Sequence, residues 1–331
     1  MRAMLLTHSA PIGSAPLALA DVPDPTPGPG ELLLRVSACA VCRTDLQLCE
    51  GDLPLHRSPL VPGHQAVGVV EAVGEDASGW RAGDVAGIGW LGGACGACDY
   101  CRGGRENLCA AARFTGWDRD GGFAERITVR ADFALRLPQG FDALDAAPLL
   151  CGGVIGYRAL KRSAIETGGS LGLFGFGASA SLAIQVAVHW GCRVYVWTRS
   201  EREQQRALNL GAVWAGTYDA SPGIRMDAAV TFAPSGDVIV AALRAVAPGG
   251  TVAINAIHLD RIPEFDYDLL WRERGLVSVA NYTRRDAHDF LELAAAVPVR
   301  TKTETFGFPE ANRALALLSR GQLTATAVLA P

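Results

Sequence analysis

Two patterns of apolar and polar positions divide the chain. Up to about residue 150 the apolar residues come in short runs broken by glycine and proline, as in Glu31–Ala38 (ELLLRVSA) and Gln65–Val73 (QAVGVVEAV), with turn signals at Pro27-Gly28-Pro29-Gly30 and Pro62-Gly63. Short β-rich runs between such turns predict the strands of an irregular barrel. From about Ser170 apolar strands alternate with helical stretches: Leu171–Phe174, Ala178–Trp190, Arg193–Trp197 and Glu201–Leu210. Further strands are predicted at Ala228–Phe232 and Thr251–Asn255, the second entered through the turn Ala247-Pro248-Gly249-Gly250. This alternation predicts βαβ units and a doubly wound parallel sheet, so the chain reads as α/β. A helix from about Asp286 to Ala296 leads to a last strand-rich segment.

The length of 331 residues exceeds what one hydrophobic core serves, which predicts two domains. With 49% hydrophobic and 19% charged residues and a net charge of -4, the chain has no basic face for phosphate backbones, which argues against nucleic acid as a partner. No apolar run is long enough to cross a bilayer and no signal-like segment follows Met1. The expectation is a cytoplasmic protein without membrane contact.

Nine cysteines without a secretion signal, and an odd number of them, do not read as a disulfide framework. Four of them, Cys95, Cys98, Cys101 and Cys109, have the spacing C-x2-C-x2-C-x7-C in a glycine-rich loop. Four thiolates with no His or Asp among them suit a closed, structural zinc site. An iron–sulfur cluster also takes four cysteines, but three close ligands and one distant one favour a single ion.

A catalytic zinc needs three protein ligands and one open position, and such ligands come from separate parts of a chain. Candidates are Cys42 in Cys42-Arg43-Thr44-Asp45, His64 in Pro62-Gly63-His64-Gln65, and Cys151 in Leu149-Leu150-Cys151-Gly152-Gly153. Each of them alone reads more readily as a buried core residue than as a ligand, and the case rests on their company.

The run Leu171-Gly-Leu-Phe-Gly175-Phe-Gly177-Ala-Ser-Ala180 is an apolar strand passing into G-x-G-x-x-A at the start of a helix. Gly175 serves a tight turn, Gly177 the approach of backbone to a pyrophosphate, and Ala180 close helix packing, which together predict a dinucleotide site. At the end of the following strand Thr198 stands where an NAD site places a carboxylate, followed by Arg199 and Ser200. A cation and hydroxyl donors suit a 2′-phosphate, so NADP(H) is favoured and NAD(H) is the alternative.

Taken together these segments, in this order, resemble the zinc-containing alcohol dehydrogenases of the medium-chain dehydrogenase/reductase (MDR) family along essentially the whole chain. The resemblance implies a GroES-like barrel as catalytic domain over residues 1–152, with the structural zinc lobe at 92–110. A Rossmann cofactor domain over 153–288 and a return to the catalytic domain over 289–331 would complete the chain. It implies that Cys42, His64 and Cys151 bind a catalytic zinc, giving two zinc ions per chain with the four-cysteine site. Thr44 would hydrogen-bond the substrate hydroxyl, Asp45 would orient His64, Arg284 in Asn281-Tyr-Thr-Arg284-Arg285 would reach the pyrophosphate, and Leu53 and Trp90 would line the substrate pocket. The implied reaction is reversible hydride transfer between an alcohol held as alkoxide at zinc and NAD(P)+, in a homodimer or homotetramer acting on a small alcohol or aldehyde. Zinc stabilises an alkoxide as a Lewis acid, and two thiolates offset its charge.

Three other readings compete. A zinc-free quinone or enoyl reductase of the same fold would lack Cys42, His64 and Cys151. A polyol dehydrogenase would carry Glu as third ligand where Cys151 stands. A non-catalytic zinc-stabilised binding protein would hold one zinc and turn nothing over.

Two positions depart from the commonest family pattern. Gln65 replaces a carboxylate after the zinc-binding His, and Gln47 stands where many members carry a His that ends a proton relay. An amide does not titrate near neutral pH, so the pH dependence of turnover is expected not to follow a relay imidazole. A histidine-like pKa in the rate profile that disappears in a Gln47→Ala variant would contradict this.

Overall fold

The computed structural model describes residues 1–137, 140–257, 259, 261–297 and 299–331. The chain divides into two compact units, one of Met1–Cys151, Thr283–Ala295 and Arg300–Pro331, the other of Gly152–Tyr282 and Ala296–Val299.

The first unit is built on a sheet whose strands run in the order Thr303–Gly307, Thr326–Ala330, Glu31–Ala40, Ala66–Val73, Val85–Ile88 and Leu135–Arg136, with Arg126–Arg130 also paired to Glu31–Ala40. The strand Glu31–Ala40 shows why the sequence adopts it. Leu32, Leu34, Val36 and Ala38 alternate inward and are buried while Arg35 points to solvent, the period-two pattern of a half-covered strand. It pairs antiparallel with three neighbours, Ala66–Val73, Arg126–Arg130 and Thr326–Ala330. Its end leads directly into the helix Arg43–Glu50.

Among its described residues the second unit holds six strands, all parallel, in the spatial order Trp214–Gly216, Arg193–Trp197, Ser170–Phe174, Met226–Thr231, Val246–Ile254 and Gly275–Ser278. This is the 3-2-1-4-5-6 order of a doubly wound dinucleotide fold. All five residues of Ser170–Phe174 are buried, as a central strand of a parallel sheet requires. Phe174 and Trp197 lie side by side in register and stack at 4.4 Å with planes 5° apart. Around them pack Met226, Ala229, Val238, Ala242, Leu243, Val246 and Val252.

The expected elements recur with shifted bounds. The helices are Ala178–His189, Glu201–Asn209 and Arg284–Ala296. The turn expected at Ala247-Pro248-Gly249-Gly250 lies instead within the strand Val246–Ile254, which pairs Met226 with Val246 and then Ala228 with Thr251 across an irregularity. Gly249 absorbs the extra length at a φ of 78°. Among the described residues no helix is long and apolar enough to cross a membrane.

Trp197 is 3% exposed at the centre of this core, so Trp197→Ala leaves a large cavity. Urea unfolding is expected to show a loss of about 3–5 kcal/mol, and a loss below about 1 kcal/mol would contradict this packing.

Candidate metal centre

Cys42 stands where the strand Glu31–Ala40 ends and the helix Arg43–Glu50 begins, in extended conformation with φ -123° and ψ 161°. Asp45, in the first turn, returns its Oδ2 to accept from the Cys42 backbone N at 2.8 Å. Its Oδ1 accepts from the Gly63 N at 3.2 Å and from His64 Nδ1 at 3.0 Å. One fully buried carboxylate thus holds the segments that carry Cys42 and His64. Gly63 permits this turn with a φ of 95°, and a Cβ there would stand 2.4 Å from the Phe123 ring. Gly121 serves the same contact from the other side, where a Cβ would meet the Gly63 O at 2.1 Å.

Because the Asp45 carboxylate accepts, His64 Nδ1 donates and Nε2 is the nitrogen left facing Cys42 and Cys151. That Nε2 is buried and without a hydrogen-bond partner. Burial disfavours a charged imidazole, but Asp45 and Cys42 together raise His64 to about 10, so without an ion Nε2 also holds a proton at neutral pH, which a bound dication would displace. Cys151 follows the short helical turn Ala147–Leu150. Its thiol donates to Cys42, which draws Cys42 well below the ordinary thiol range and pushes Cys151 well above it. The ligand atoms of Cys42, His64 and Cys151 lie within 4.8 Å of one another. Two cysteine sulfurs sharing one proton beside a buried imidazole nitrogen without a hydrogen-bond partner form a donor set that fits a dication. All three belong to the first unit.

Thr44 is half-buried with its Oγ1 at 3.8 Å from Cys42 Sγ. Gln65 is buried and turns its Nε2 to the Ala40 carbonyl at 3.3 Å, which ties it to backbone. Gln47 has a buried Oε1 without a hydrogen-bond partner, and its backbone carbonyl accepts from the Leu53 N at 3.2 Å. Trp90 is 6% exposed and meets the His64 ring edge-on at 4.9 Å.

The second cysteine set is closed. Neighbouring sulfurs stand 3.5 Å (Cys109–Cys95), 3.6 Å (Cys98–Cys101) and 3.8 Å (Cys95–Cys101) apart. Four bonds of about 2.3 Å to a tetrahedral ion place sulfurs about 3.8 Å apart, whereas a disulfide needs about 2.05 Å. The amides of Ala97 and Cys98 point at Cys95 Sγ from 3.5 and 3.3 Å and lower its pKa to about 6. A Cys95 thiolate is therefore favoured before any ion adds its own charge, while burial and the neighbouring sulfurs push Cys101 up to about 12.

In the second unit Gly175 takes a φ of 88°, and a Cβ there would lie 2.8 Å from the Ala233 N. Gly177 caps the helix Ala178–His189, where a Cβ would meet nothing within 4 Å. The helix N-terminus therefore opens onto free space with backbone amides pointing outward, a cradle that fits a pyrophosphate. Ala180 is fully buried. Thr198 is buried and bound through its backbone, its N to the Gly216 O at 2.9 Å and its O from Gln204 Nε2 at 2.9 Å. Ser200 caps the helix Glu201–Asn209 by accepting from the Glu203 N, and Arg199 between them is exposed.

Arg284, expected at a pyrophosphate, has its side chain engaged inside the first unit. Its N and Nε bond Glu106 Oε1 at 2.8 and 3.2 Å, its Nη1 bonds the Asp132 O at 3.1 Å, and its guanidinium lies over the Phe133 ring. Glu106 is 3% exposed and three residues before Cys109, so this pair clamps the four-cysteine lobe to the helix Arg284–Ala296. Sequence reasoning also missed Phe114, Trp117 and His56, which continue outward from Trp90. For Phe114 and Trp117 the sequence offers a concentration of aromatic residues in the turn after the lobe, and for His56 it offers no signal.

Residues 28–139 match the alcohol dehydrogenase GroES-like domain family, and residues 180–296 match the zinc-binding dehydrogenase family. A probable alcohol dehydrogenase, AdhA, of Mycobacterium tuberculosis is 46% identical across 99% of this chain and 97% of its own. An alcohol dehydrogenase of Geobacillus stearothermophilus is 32% identical across 95% of this chain and 96% of its own. Among solved structures, acetophenone reductase from Geotrichum candidum in complex with NAD superposes with a TM-score of 0.88 at 26% identity, covering 100% of this chain and 97% of the other.

Asp45→Asn would leave the volume of this site almost unchanged while removing the charge behind His64. Competition with a chelator is expected to show zinc affinity at Cys42, His64 and Cys151 falling roughly 10–100-fold while the four-cysteine ion stays bound. Equal retention at both sites would contradict the role given to Asp45.

Proposed function

Because this chain belongs to the zinc-containing alcohol dehydrogenases of the medium-chain dehydrogenase/reductase family, we propose that it oxidises a small alcohol reversibly to its aldehyde, with catalytic zinc and with NADP(H) as the favoured cofactor. The observation that carries the reading is the convergence of Cys42, His64 and Cys151 with an unpartnered His64 Nε2. Three donors leave a tetrahedral ion one position for substrate, the arrangement of a catalytic site, whereas the four cysteines of the lobe leave none.

When bound, zinc supplies a Lewis acid that acidifies the alcohol hydroxyl and the nicotinamide supplies the hydride acceptor. The rest falls to the chain. The Thr44 hydroxyl, two residues from Cys42 and half-buried, accepts the proton released by the substrate and passes its own outward. Asp45 keeps the Nδ1 proton on His64 and so keeps Nε2 available as donor. Gln47, an amide, does not titrate near neutral pH. The alcohol carbon gives up one hydride, the oxygen one proton, and the aldehyde leaves.

The cofactor preference rests on residues 198–200. Thr198 places no carboxylate against a 2′-phosphate, Arg199 is an exposed cation, and the Ser200 hydroxyl, though accepting from Glu203, keeps a hydrogen to donate. At Gly177 the open helix start would take the pyrophosphate.

A panel of alcohols and aldehydes, run in both directions with both cofactors on zinc-replete protein, tests the reading. Turnover with a lower KM for NADP is expected, and Arg199→Ala should raise that KM roughly tenfold while leaving the KM for NAD unchanged. Inactivity toward every alcohol and aldehyde would overturn the function. A clear preference for NAD would overturn the cofactor assignment.

A further inference from the structure

The parallel sheet of the second unit is covered unevenly. Its strands Trp214–Gly216 and Met226–Thr231 are separated by two others, yet residues 217–225 alone connect them and carry no helix. A crossover between parallel strands usually takes a dozen residues or more and supplies a helix that covers the sheet. Here the short crossover leaves a cavity of about 380 Å³ between itself and the helix Gly236–Ala245. That volume lies in the range of small-molecule sites.

The cavity is apolar within and cationic at its rim. Tyr218 and Ile224 of the crossover face Ala241 and Ala245 of the helix, and the buried Trp197 closes the bottom. Tyr218, Ala241 and Ala245 are half-buried and Ile224 is 43% exposed, so these walls keep accessible surface. Arg225 and Arg244 are exposed, and no acid lines the cavity. Arg225 Nη1 donates to the Arg244 carbonyl, which brings one guanidinium to the helix end that carries the other. Among the described residues neither has an ion-pair partner, although the chain carries a net charge of -4 and other arginines find acids, as Arg126 does Glu71 and Arg313 does Glu310. Two neighbouring cations without a counter-charge favour an anion between them.

The crossover is also held in shape. Trp197 Nε1 donates to the Ala220 O at 3.0 Å, and the Ser221 Oγ accepts from the Gly223 N at 3.2 Å, where Gly223 takes a φ of 79°. A preformed wall costs little entropy when a guest binds. The rim lies away from the dinucleotide turn. Gly175 follows the end of Ser170–Phe174, whereas Arg225 precedes the start of its parallel neighbour Met226–Thr231 and Arg244 precedes the start of Val246–Ile254. The two arginines therefore stand at the opposite edge of the sheet.

We propose that this cavity is a second small-molecule site, separate from the dinucleotide cradle, which binds a planar aromatic ring carrying one anionic group. The ring lies between Tyr218 and the helix face of Ala241 and Ala245, and the anion meets Arg225 and Arg244. The site goes beyond the alcohol dehydrogenase reading and does not depend on it.

Naphthalene-2-sulfonate is a suitable probe, being flat, permanently charged and a poor zinc ligand. Ligand-observed NMR titration of the zinc-replete full chain is expected to show saturable binding with a Kd on the order of 1 mM, and methanesulfonate, an anion without a ring, should bind at least roughly tenfold more weakly. An Arg225→Gln, Arg244→Gln double variant should weaken the probe roughly tenfold, and Ala241→Phe, which fills the cavity, should abolish its binding, with unfolding curves showing both variants folded. Saturating NADP or NAD should leave the Kd within about twofold. Absence of saturable binding, undiminished affinity in either variant, or displacement of the probe by a dinucleotide would overturn the proposal.

Discussion

Asp45 is fully buried, and a buried carboxylate persists as an ion only where donors replace the water it has lost. Here the Cys42 N, the Gly63 N and His64 Nδ1 do so. The same three bonds order the site. They fix where the helix Arg43–Glu50 starts, where the Pro62-Gly63 turn sits, and which nitrogen of His64 faces Cys42 and Cys151. Removing the carboxylate would leave three buried donors unmatched and an imidazole free to change tautomer. The arrangement of the metal donors therefore follows from satisfying one charge.

That constraint propagates through backbone packing. Gly63 lies against Phe123 and Gly121 so closely that neither glycine tolerates a side chain. The loop that follows the four-cysteine lobe is thereby pressed onto the His64 turn, which brings Phe114 and Trp117 to Trp90. In the second unit the corresponding economy lies at Gly175 and Gly177, where absent side chains let one strand end turn sharply into a helix start.

How much of this was legible in the sequence depends on distance along the chain. The four-cysteine site could be read from spacing because all its donors share one loop. The βαβ order could be read because each strand and helix is contiguous and carries its own apolar period. Cys42, His64 and Cys151 share no local pattern, since a sheet and two turns bring them together, and only resemblance to a family singled them out. Phe114, Trp117 and His56 left no periodic signal, because their stacking depends on the turn held by Asp118. Glu106 was equally silent as the partner of Arg284, being a lone acid among loop residues until the fold buries it beside a helix start.

The strand Thr326–Ala330 joins the sheet beside Glu31–Ala40, pairing Leu329 with Cys39 and Val328 with Ala40, and the Val41 N bonds the Ala327 O at 2.8 Å. The residues immediately ahead of Cys42 are thus completed by a segment synthesised almost three hundred residues later. A ribosome releases the Cys42 segment early, then nearly the whole of the second unit, and only afterwards the strand that finishes the first. The four-cysteine loop holds all of its donors within residues 95–109 and can close while the chain is still growing. The donors Cys42, His64 and Cys151 instead span more than a hundred residues, and the backbone ahead of Cys42 gains its last partner only when the strand Thr326–Ala330 joins the sheet.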